Sequence, residues 1–171
     1  MAFESLTDER IEKLLRMAKR VTNPTARTVQ DANHDKRDYI VESSDGLEKF
    51  SLFVRQSKTV EDDFSCGLIW LPAGGERLIL ARYNGSSHEH PNRLEQTKIS
   101  FACHVHRATE RYIQANLKPE SFATESADYQ TCNGALHALV TECNINGIET
   151  NADHPELPLN SQERKITIDD L

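Results

Sequence analysis

From residue 39 to residue 106 the chain passes through short apolar runs separated by turn residues, and no other feature narrows the fold as much. Tyr39–Glu42 is followed by the Asp45-Gly46 turn, after which Phe50, Leu52 and Val54 alternate with polar neighbours. Residues 64–71 and 78–83 carry apolar side chains on both faces, as strands in the middle of a sheet do, and Gly74-Gly75 between them reads as a hairpin turn. Ile99, Phe101, Cys103 and Val105 alternate again, which predicts a strand over 98–106. Parallel neighbours need crossovers of a dozen residues or more, and these connections are mostly shorter. The pattern predicts an antiparallel meander of about five to six strands.

Helical periodicity flanks this sheet. Ile11, Leu14, Leu15 and Ala18 form one apolar face of a helix predicted over 7–21, with Thr7 as its cap, Asp8 and Glu9 at its positive end, and Asn23-Pro24 as its stop. Residues 22–37 lack periodicity and read as loop. Tyr129, Cys132, Leu136, Leu139, Val140 and Cys143 predict a C-terminal helix, from about Asp128 to Cys143, packed on the sheet. Helix, sheet, helix defines the α+β class, with one domain over residues 1–146. Residues 147–171 are acidic and contain prolines, which predicts a polar tail in which Ile166 and Ile168 are spaced to add an edge strand to the domain or to a partner.

No stretch approaches the roughly 20 apolar residues of a membrane span, and the acidic start MAFESLTDER lacks the basic and apolar parts of a signal peptide, so the expected location is the cytoplasm. Cys66, Cys103, Cys132 and Cys143 form no C-x-x-C pair, and three fall in apolar patterns, which suits small core residues in a reducing cell. The net charge of −7 argues against coating nucleic acid by bulk attraction. The charge is uneven, however: seven basic and four acidic side chains give residues 76–118 a charge of +3, leaving −10 on the remainder.

His88, His90, His104 and His106 all lie in that basic segment. Strand alternation places His104 and His106 on one face with Ser100 and Ala102, and Cys103 and Val105 on the other, which excludes Cys103 from any site the histidines form. His88 and His90 follow a turn at 84–87, at the end of the strand carrying Arg82 and Tyr83. Three kinds of chemistry fit. An acid–base pair would act without a cofactor, with Arg82, Lys98, Arg107 or Arg111 stabilising phosphate charge; RNA suits such a pair because its 2′-OH supplies the nucleophile. A divalent metal at His88, His104 and His106 is a second reading. In the third, the imidazoles hydrogen-bond to Glu89, Glu95, Glu110 or backbone groups and tie a loop to the sheet.

The run Leu80-Ala81-Arg82-Tyr83-Asn84-Gly85, then His88 and Asn92, then Cys103-His104-Val105-His106, resembles an uncharacterised domain of bacteria and phages. So do the helix opening with Leu6-Thr7 and the closing Cys143-Asn144-Ile145. That family carries an H-x-x-N-P loop followed by an H-L-H strand and is often found near mobile elements; here Pro91 precedes Asn92, a departure in the loop. A second likeness is to TumE-like toxins, at Tyr83, Asn84, His88, His104 and His106, which implies a toxin of a toxin–antitoxin pair.

Residues and resemblances together predict a small prokaryotic or phage protein of the toxin–antitoxin or defence type, a metal-independent, ribonuclease-like hydrolase of phosphodiesters. His88, His104 and His106 would catalyse, and Arg82, Tyr83, Asn92, Arg107 and Arg111 would bind substrate. The alternative is a non-catalytic protein-binding module, such as an antitoxin, an immunity or anti-defence protein or a subunit of a larger complex. It would engage a basic partner through the acidic surface or the tail.

Overall fold

A computed structural model describes residues 3–153. Helix α1 (Asp8–Arg16) starts as expected, with Thr7 Oγ1 accepting from the Arg10 amide at 3.2 Å. It stops five residues before the periodicity predicts, and β1 (Lys19–Val21) follows. Lys19 explains the stop. Its buried ammonium donates to the carbonyls of Leu15 (2.7 Å), Met17 (2.9 Å) and Cys143 (2.9 Å), closing the end of α1 from inside.

The stretch expected to be loop holds β2 (Val29–Gln30) and the first residues of β3 (His34–Ser43). This part of β3 is a polar ladder held by pairing to β4 (Lys49–Ser57), from His34↔Ser57 onward, and by the Arg55–Asp38 ion pair at 2.8 Å. Such a strand buries little and leaves no hydrophobic period to read. The meander continues through β5 (Phe64–Trp70) and β6 (Leu78–Asn84). The chain then leaves the sheet for a two-stranded hairpin, β7 (His90–Asn92) and β8 (Thr97–Ile99), and rejoins it as β9 (His104–Arg107), antiparallel to β6. The single strand predicted over 98–106 is therefore two, broken where Phe101 takes a left-handed φ of +48° and stands 64% exposed.

After α2 (Glu110–Gln114) and a 3₁₀ turn at Pro119–Ser121, β10 (Phe122–Glu125) pairs with β9. Helix α3 (Cys132–Glu142) is shorter than predicted, with Thr131 accepting from the Gly134 amide as its cap, and β11 (Ile145–Asn146) runs parallel to β1. Among the described residues the main sheet has nine strands rather than five to six, in the order β10-β9-β6-β5-β4-β3-β1-β11, with β2 paired to β3 off this path. The fold is α+β as predicted, and the meander from β3 to β6 continues in space through β9 and β10.

Helix α3 lies against β4, β5 and β6, where Leu136, Leu139 and Val140 join Phe50, Leu52, Leu68 and Tyr83 in the core. Cys66, Cys103 and Cys143 are buried and Cys132 half-buried, all free thiols. Of the predicted tail, Ile148 packs on the core and Asp153 accepts from the Thr131 amide at the start of α3; Ile166 and Ile168 lie outside the described residues. Among the described residues no helix is long and apolar enough to cross a membrane.

Candidate metal centre

Register places the histidines. In the β6–β9 pairing Arg82 stands opposite His106 and Asn84 opposite His104, so these four side chains share one sheet face. Tyr83 stands opposite Val105 and shares the other face with it. His104 and His106 are 0% and 1% exposed, with ring centroids 5.1 Å apart. The β7–β8 hairpin folds over this face and brings His90 to within 4.5 Å of the His106 ring and 5.6 Å of the His104 ring. His88, which is exposed, meets His104 edge-on at 5.1 Å. All four histidines converge, as a single site requires.

Each of the three inner rings has one nitrogen committed to a backbone carbonyl. His104 Nδ1–H donates to Ala102 (2.8 Å), His106 Nδ1–H to Glu120 (2.9 Å) and His90 Nε2–H to Ser121 (2.7 Å). In a neutral ring the other nitrogen then carries a lone pair, so Nε2 of His104, Nε2 of His106 and Nδ1 of His90 are left to accept or ligate. These residues offer ligand atoms that all lie within 4.8 Å of one another. Burial lowers the pKa of His104, and it brings that of His106 down to about 3, with the Arg82 charge as a second cause. Both rings are therefore neutral at ordinary pH, the form in which imidazole binds metals.

Asn84 lies between the two Nε2 atoms, its amide nitrogen 3.4 Å from His104 and 3.3 Å from His106, while its Oδ1 is buried without a partner. Arg82 Nη2 lies 3.5 Å from His106 Nε2, and Arg82 Nε is also buried without a partner. Unsatisfied buried polar atoms are uncommon in folded proteins, and here two belong to side chains that contact Nε2 of His104 or His106.

The remaining predicted site residues lie elsewhere. Tyr83 and Arg107 are on the opposite face, where both hydrogen-bond Glu142 and the guanidinium sits 5.5 Å over the tyrosine ring. Strand alternation separates them from the histidines. Asn92 is buried, and both ends of its amide are used by the Ala123 backbone, at 2.8 and 2.9 Å, so it clamps β7 to the β10 edge. Arg111 pairs with Glu95 and covers the Phe122 ring at 4.5 Å. Ser100 and Ala102 do not share the histidine face, because the chain is not a strand there. Ser100 donates to Glu89, and Ala102 contributes its carbonyl to His104. The site predicted from the sequence contains His88 but neither His90 nor Asn84. The His90–Ser121 bond depends on how the hairpin docks, for which the sequence has no periodic signal.

Fold and site together define an α+β protein with a buried three-histidine centre between a sheet face and a covering hairpin. Residues 6–145 match the model of a family of unknown function, DUF6978, and the chain belongs to that family. The matched span includes every residue of the centre. No curated protein and no solved structure matches the chain.

Proposed function

We propose that His90, His104 and His106 hold one divalent transition-metal ion, zinc first among them, and that the protein is a metal-dependent hydrolytic enzyme. One observation carries this reading: three rings each bring a ligand nitrogen within 4.8 Å of the others while a backbone carbonyl fixes one nitrogen of each ring. Metal-ligating histidines are oriented in this way, by a second partner on the other ring nitrogen. A metal would displace the Asn84 amide from Nε2 of His104 and His106. Three neutral nitrogen ligands and an open fourth position are the arrangement of catalytic rather than structural zinc, in which the metal lowers the pKa of a bound water. Tetrahedral coordination at about 2.0–2.1 Å sets ligand nitrogens about 3.3 Å apart, so binding would draw the rings slightly together.

The same geometry weighs against a metal-free acid–base pair. A buried histidine whose pKa is pushed down to about 3 carries little of the protonated form at neutral pH, which makes His106 a poor general acid. His88 takes a different place from the one expected, as an exposed ring beside the centre.

Equilibrium dialysis of the purified, chelator-treated protein against zinc tests the reading. The expected result is one equivalent per chain, with affinity falling about a hundredfold or more in His90→Ala, His104→Ala and His106→Ala and little changed in His88→Ala. Dependence on His88 in place of His90, or binding indifferent to all four changes, would overturn it.

A further inference from the structure

We infer that the open position of this centre takes a phosphoryl oxyanion, held between the metal and the Arg82 guanidinium; this rests on the metal reading above. The argument is one of charge. The three ligands are neutral imidazoles, and their outer partners are the neutral carbonyls of Ala102, Glu120 and Ser121. Among the described residues no carboxylate hydrogen-bonds to any of the three rings. A divalent ion here keeps its full charge, and Arg82 adds another beside it, with Nη2 only 3.5 Å from a ligand nitrogen.

Arg82 has no ion pair within 4 Å among the described residues, and the Glu120 carboxylate acts on it only at longer range. Arg10, Arg16, Arg20, Arg55, Arg107 and Arg111 form ion pairs. Of the described arginines with none, Arg27, Arg37, Arg77 and Arg93 are exposed, whereas Arg82 is half-buried. Its Nε is buried and unsatisfied, the mark of a cation short of solvent. A guanidinium and a metal side by side repel each other unless an anion bridges them. The planar fork of arginine matches two oxygens of a phosphate, leaving another for the metal. The half-buried Arg82, the buried Asn84 amide and the exposed His88 ring then form the wall around the bound group.

This arrangement makes Arg82 act in opposite directions on the two ligands, a signature that a merely structural arginine lacks. Removing its charge should tighten the metal and loosen the anion. The experiment is titration of inorganic phosphate into cobalt(II)-loaded protein, read by the visible absorption of the metal, with acetate as the parallel arm. In the wild type, phosphate should perturb the spectrum at lower concentration than acetate. In Arg82→Gln phosphate affinity should fall at least tenfold while cobalt affinity is unchanged or rises. Arg82→Lys, which keeps charge but loses the fork, should fall between them, and it replaces the glutamine variant if that one does not fold. Phosphate binding equal in wild type and variants, no phosphate binding to the loaded protein, or acetate bound as tightly as phosphate would each overturn the inference while leaving the metal site standing. Failure of the wild type to bind cobalt or zinc would overturn the metal reading and this one with it.

Discussion

Protonating His106 in the folded protein places a charge on a buried ring beside Arg82, His90 and His104, which is why its pKa falls from the ordinary 6.5 to about 3. The unfolded chain has no such penalty and takes the proton near 6.5. Between those values the unfolded state binds more protons, so the contribution of this ring is whole above pH 6.5 and is lost as the pH falls toward 3. The slope is about 1.4 kcal/mol per pH unit for one proton. Denaturation of the metal-free protein across this range should show a steep acid limb that His106→Gln makes shallower by about that amount; an unchanged limb would place the acid sensitivity elsewhere. Residue by residue, the sequence was informative where a local period governed. The two-residue alternation of a strand was enough to put His104 beside His106 and Cys103 on the other side. It also separates Tyr83 from Arg82, although both belong to the predicted site, Arg82 as a cation for phosphate and Tyr83 through the resemblance to TumE-like toxins. His90 could not be preferred over His88 at all, since the two differ only in which one the hairpin brings inward.

The β7–β8 hairpin is the element on which the centre depends, because it carries one ligand while the sheet carries the other two. Its attachments include the Asn92–Ala123 pair, the His90–Ser121 bond, the Leu94 amide donating to the Tyr112 hydroxyl, and Glu95 bridging Tyr112 and Arg111. Asn92→Ala removes both bonds to the β10 edge and leaves a buried backbone amide and carbonyl unpaired, at a cost of about 1–3 kcal/mol. It should increase amide exchange in residues 90–99 and weaken zinc binding although it removes no ligand. Unchanged zinc affinity would mean that the hairpin is held without it. Gly85, where the chain leaves β6, tests the other side of the site. A Cβ there would lie 2.0 Å from the Asp62 carbonyl and 2.9 Å from the Phe64 ring, so Gly85→Ala forces backbone apart next to Asn84. A loss of about 2 kcal/mol in urea denaturation is expected. At this scale the apolar strands were legible because they bury alternate or continuous apolar sets. The end of α1 was not, because an inward-turned lysine sets it, and neither was β2 or the polar start of β3, which pairing rather than burial maintains.

Over the whole molecule, the centre is a point where separated parts of the chain are joined. His90 comes from the hairpin, His104 and His106 from β9, and the carbonyls that orient His90 and His106 from the 3₁₀ turn between α2 and β10. The unfolded chain has no such convergence, so a metal that binds here binds the folded state, and its binding free energy adds to stability. With free zinc at a hundred times its dissociation constant the gain is about 2.7 kcal/mol. For a domain of about 150 residues this raises the melting temperature by roughly 5–10 °C. Differential scanning fluorimetry with and without zinc should show that shift in the wild type and in His88→Ala, and a chelator should reverse it. His90→Ala should lose the shift although its sheet ligands are intact. Asn92→Ala should keep a reduced one, because its hairpin must be ordered by the metal itself. Equal shifts in all four proteins would mean that zinc binds outside the centre, and a wild type whose melting temperature ignores zinc would remove the metal from the account of this site.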